Sequence, residues 1–91
     1  MIQIVKNELF RGGTRIGWID GDCIRDHAYE KVAYFTHDQV LDKGGSKVAY
    51  ISGDFLYFAH TGAKSRLEDN NQVVQGIVSD ICKAAIVIAL G

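Results

Sequence analysis

Three aspartates recur at one interval in this chain: Asp22, Asp38 and Asp54 lie sixteen residues apart. Gathered at one rim, three carboxylates could bind a hard cation such as Ca²⁺, which takes several oxygen ligands. Each also sits in a turn-forming stretch: Asp20-Gly21-Asp22, Thr36-His37-Asp38 and Ser52-Gly53-Asp54. There an aspartate bonds to nearby backbone. Turn chemistry and no metal is therefore the expectation, with these three the residues a cation would use.

The histidines are His27, His37 and His60. Asp26-His27 and His37-Asp38 each set an imidazole beside a carboxylate, the pairing of acid–base catalysis. Neighbours on a strand point to opposite faces, however. His37 belongs to one class of turn and His27 and His60 to the other, so no shared site is expected. A nucleophile elbow, a phosphate-binding loop and a dinucleotide fingerprint are all absent. The reading is no catalytic residue, no cofactor and no enzyme. A metal-dependent enzyme using the Asp and His residues ranks last among the alternatives.

Trp18, Tyr34 and Tyr50 share the sixteen-residue spacing. On one surface they would make a stacking platform for a glycan or peptide; packed inward, they would be core or a subunit interface. Cys23 and Cys82 are 59 positions apart and belong to no Cys-x-x-Cys pair. Two buried free thiols are expected rather than a zinc or redox site.

These residues ride on a tandem repeat. Arg15-Ile16-Gly17-Trp18-Ile19 returns as Lys31-Val32-Ala33-Tyr34-Phe35 and as Lys47-Val48-Ala49-Tyr50-Ile51. Each is β-branched and aromatic, suited to a strand. A second, shorter strand follows the polar break, as in Gln39-Val40-Leu41-Asp42. Glycine-rich turns such as Lys43-Gly44-Gly45-Ser46 lead to the next copy. Simple alternation puts Val32 with Tyr34 on one face and Ala33 with Phe35 on the other. An upstream partial copy, Glu8-Leu9-Phe10-Arg11, precedes the first. A fourth is degraded: Leu56-Tyr57-Phe58 is its short strand, and Lys64 arrives one position late.

From residue 70 the period changes. Val73, Val74, Ile77, Val78, Ile81, Cys82, Ala85 and Ile88 fall at helical spacing, with Asp69 or Asn70 as N-cap. Residues 84–90 are apolar throughout and fit helix or strand. The expected fold is mainly β: a single domain over residues 1–91, with hairpin repeats at 8–68 and a C-terminal apolar helix or strand at 70–90.

Ten Lys+Arg against eleven Asp+Glu give a formal charge of −1, with no basic run. That argues against nucleic acid and against a polybasic membrane contact. No stretch is long enough to span a membrane. Met1-Ile2-Gln3-Ile4-Val5-Lys6 does not read as a signal peptide, so a cytoplasmic location is the default expectation.

The cadence Val40-Leu41-Asp42-Lys43-Gly44-Gly45-Ser46-Lys47-Val48-Ala49-Tyr50-Ile51 resembles that of the 4-fold β flower proteins, small bacterial domains of repeated hairpins arranged like petals. The resemblance covers residues 8–68 and implies architecture; it carries no catalytic residues. Two-sided apolar strands and an apolar tail point to a non-enzymatic, self-associating structural or protein-interaction module, a homo-oligomer. A glycan- or peptide-binding module using Trp18, Tyr34 and Tyr50 is the alternative.

Overall fold

Short β-branched and aromatic runs, broken every few residues by glycine and aspartate, pair with their neighbours in sequence. The computed structural model describes all residues, Met1–Gly91. Its strands are β1 (Ile2–Val5), β2 (Glu8–Arg11), β3 (Thr14–Asp20), β4 (Cys23–Asp26), β5 (Lys31–Phe35), β6 (Gln39–Asp42), β7 (Lys47–Ser52), β8 (Phe55–Phe58) and β9 (Lys64–Arg66). A 3-10 helix (Leu67–Gln72), strand β10 (Val74–Gln75) and helix α1 (Asp80–Leu90) complete the chain. All ten strands form one sheet, an antiparallel meander from β1 to β9. Strand β10 returns to pair parallel with β1, Ile2 opposite Val74.

Four units repeat the same pairing. The apolar residue of the short strand lies opposite a small residue of the long one: Leu9 with Gly17, Ile24 with Ala33, Val40 with Ala49 and Leu56 with Ser65. In the first three units the next pair skips a residue, giving Phe10 with Arg15, Arg25 with Lys31 and Leu41 with Lys47. Ile16, Val32 and Val48 are thus the extra residues of β-bulges. A bulge breaks the two-residue alternation, and all three pack against the core, as do Ala33 and Ala49. The alternation that set Val32 beside Tyr34 is corrected: the valine turns inward.

The fourth unit has no bulge, since Tyr57 pairs directly with Lys64. Its longer turn supplies the residue that the bulge supplies elsewhere. Ser65 therefore falls sixteen residues after Ala49, and the late arrival of Lys64 costs no register. A second contact closes the far end of each unit. The carbonyls of Asn7, Asp22, Asp38 and Asp54 accept from the amides of Ile19, Phe35, Ile51 and Leu67 at 2.8–3.0 Å.

The helix begins ten residues later than its periodicity predicts. Val74 is fully buried as a strand residue beside β1, and Gly76 follows at φ 154°. A side chain at Gly76 would lie 2.6 Å from the Ile4 Cβ. The run Val73, Val74, Ile77, Val78 satisfies helical spacing, but β-branched residues around a glycine favour extended chain. The N-cap is Ser79, not Asp69 or Asn70; its Oγ accepts from the Cys82 amide at 3.2 Å. Residues 84–90 are helix, not strand.

Helix α1 packs on β4, β5 and β6. It buries Ile81, Cys82, Ala84, Ala85 and Ile86 against Leu9, Ile24, Ala33, Val40, Ala49 and Leu56. Small residues on both surfaces let helix and sheet approach closely. The Leu90 carbonyl at the helix end accepts from Arg11 Nη2 at 2.7 Å, a cation where the helix dipole is negative. No helix is long and apolar enough to cross a membrane.

Both cysteines are buried and free. Desolvation beneath the helix pushes the Cys82 thiol up to about 11 from its ordinary 9.0. A thiol that holds its proton more tightly when folded contributes stability below its unfolded pKa, and that contribution is lost as pH rises toward the folded value. Chemical denaturation should therefore find stability falling between pH 9 and 11 through this group, by about 2–3 kcal/mol. Cys82→Ala should lack that part of the fall. An identical pH profile in the variant would remove the assignment.

Candidate binding face

With one sheet face covered by α1, the chemistry-bearing side chains divide between the turns and the opposite face. The turn aspartates do not converge. No group of three or more His, Cys, Asp or Glu side chains is placed to hold a metal ion. Asp54 lines a cleft of about 440 Å³ with Arg66, Glu68, Asn71 and Asp80, whereas Asp22 and His37 line a separate, more open one by Ser79. The backbone carbonyls of all three aspartates carry the bonds that close the units. The Asp38 carboxylate also accepts from the Thr36 hydroxyl at 3.3 Å. His37 is exposed and 3.6 Å from Asp38, its neighbour in sequence.

The aromatic column is spread along one face, with no ring of the three touching another. Trp18, Tyr34 and Tyr50 occupy β3, β5 and β7, on alternate strands. Each follows an inward small residue, so each stands on the face away from the helix. Tyr57, opposite Tyr50, stacks on it with ring centres 5.4 Å apart.

The bulges bring a second residue type onto this face. In a regular strand, residues three apart point to opposite sides. Across a bulge they point to the same side. Arg15 thus lies 4.5 Å from the Trp18 ring centre, Lys31 5.6 Å from Tyr34 and Lys47 5.1 Å from Tyr50. In the unbulged unit Lys64 lies 4.6 Å from the ring centre of Phe55. Every unit therefore presents one cation over one ring, an attraction worth about 0.5–1 kcal/mol where exposed. Sequence reasoning singled out the rings and missed the cations. The signal was there in Arg15, Lys31 and Lys47, each three residues before its aromatic partner.

The cations on this face fall into two groups. The arginines are paired with carboxylates: Arg15 with Glu8 at 2.7 Å, Arg25 with Asp20 at 2.8 Å and Arg66 with Glu68 at 3.0 Å. The Asp20 hydrogen bond also holds the Arg25 pKa above its usual value. Lys31, Lys47 and Lys64 form no ion pair.

One corner departs from the repeat. Tyr29 has φ 64°, at the position where other copies place Gly13 (φ 81°) and Gly45 (φ 88°). A left-handed tyrosine is costly relative to glycine. Its ring meets Trp18 edge-on at 5.1 Å, Arg25 lies 4.3 Å from its centre, and Arg25 Nη1 donates to its carbonyl. Tyr29 is 53% exposed. The corner is a pair of touching rings with a cation at each end: Arg15, Trp18, Tyr29, Arg25.

No protein-family model, curated protein or solved structure matches the chain.

Proposed function

We propose that the chain is a non-enzymatic binding module whose ligand lies across the sheet face carrying Trp18, Tyr34 and Tyr50. The observation that carries this reading is the repeated cation-over-ring pair, delivered to one face by bulges at matching positions. The motive for self-association is an apolar tail that needs a cover, and the sheet supplies much of that cover. Ala84, Ala85 and Ile86 are fully buried within the single chain. The sheet edges offer little to a second copy, as β9 has three residues and β10 two.

Trp18→Ala combined with Tyr50→Ala tests the reading on glycan and peptide arrays. Ligands retained by the parent chain should be lost by the double variant while its fold survives by circular dichroism. Retention unchanged in the double variant, or no retention by the parent, would count against it. Sedimentation showing an oligomer that the same variant dissociates would assign the face to a second copy instead.

A further inference from the structure

Given this face as the binding surface, we propose that its ligand is a linear acidic polysaccharide carrying one carboxylate per disaccharide. Every arginine of the cation-and-ring array is already neutralised by a carboxylate, whereas Lys31, Lys47 and Lys64 make no ion pair. What the face offers a partner is therefore a row of three lysines.

The row has a period. The lysines begin β5, β7 and β9, alternate strands of one sheet. Neighbouring strands are about 4.8 Å apart, so the row repeats at about 10 Å. That step is comparable to the disaccharide repeat of an extended polysaccharide. The rings of Tyr34, Tyr50 and Phe55 restrain the ammonium groups, so a carboxylate arriving from solvent meets donors already restrained. Between them the aromatic surface, including the stacked Tyr50–Tyr57 pair, suits the apolar faces of sugar rings.

The alternatives fit less well. An extended peptide gains affinity from main-chain hydrogen bonds at a sheet edge, and backbone groups inside the sheet are engaged with neighbouring strands. A nucleic acid presents phosphates more densely than one per 10 Å and favours a basic protein. This chain has a net charge of −1.

Hyaluronan oligosaccharides spanning three disaccharides are the probe, with neutral cello-oligosaccharides, oligothymidylate and poly-glutamate beside them, titrated by calorimetry and by Trp18 fluorescence. The parent should bind hyaluronan, more weakly as salt rises, and in preference to the other three. Lys31→Gln, Lys47→Gln and Lys64→Gln together should weaken it about tenfold or more. Lys6→Gln and Lys83→Gln together, a change of charge away from the row, should not. Equal loss in both variants would overturn the proposal. Equal or tighter binding of oligothymidylate or poly-glutamate would hand the row to that partner. Binding of the neutral sugar alone, lost in Tyr50→Ala, would sink the acidic ligand and leave the binding face standing. No binding by any probe, together with array retention that ignores Tyr50→Ala, would end both.

Discussion

Gly17→Ala is expected to lower the melting temperature by about 5–20 °C, although it adds a single methyl group. An ideal Cβ at this position lies 2.2 Å from the Arg25 carbonyl oxygen and 3.0 Å from Leu90 Cδ1. The leucine end can shift; the carbonyl is backbone and cannot move alone. Relief requires β3 and β4 to part at the Gly17–Arg25 contact, or the helix end to lift from the sheet. Overpacking of this kind costs about 1–3 kcal/mol. Ala33→Gly, at the equivalent position of the next unit, removes a methyl and should cost only about 1 kcal/mol. A thermal melt of Gly17→Ala within a degree of the parent would show that the contact relaxes freely.

Removing Asp80–Gly91 is expected to abolish cooperative unfolding altogether. Without α1, the apolar residues of β4, β5 and β6, Ile24, Ala33 and Val40 among them, lose the helix that packs on them. Ile86→Ala reports the same dependence more mildly. Ile86 is fully buried, and such a truncation costs about 2–5 kcal/mol. Against a total of about 5–15 kcal/mol for an ordinary domain, that is a large share. Denaturant titration should show the midpoint of Ile86→Ala falling with its slope preserved. For the truncated chain, tryptophan emission and circular dichroism should drift without a shared transition. A sharp, coincident transition in the truncated chain would mean that the sheet stands without its helix.

The strands were legible because they are short, similar and bounded by turn residues. Lys31–Phe35 and Gln39–Asp42 were readable to the residue. The bulges were not, because their position depends on how many residues the adjoining turn contains. A pattern of apolar residues does not count turn length. That one omission hid the facing of Ile16, Val32 and Val48, and with it the cations. The helix start was hidden differently. Val73 to Val78 fits two periods, and the choice is made by a partner 72 residues away, where Ile2 meets Val74. The rings of the candidate face were legible as a column. The lysine row was not, since it depends both on the bulges and on which cations find carboxylates.

The first strand is held on both sides, by β2 from its own hairpin and by β10 from near the far end of the chain. During synthesis only the first of these neighbours exists. Until Gln75 has left the ribosome, the leading edge of the growing sheet stays unpaired, and the four hairpin units form behind an open flank. Closure of this fold thus waits on its C-terminal segment: Val74–Gln75 complete the pairing of β1, and the helix that follows covers the apolar face.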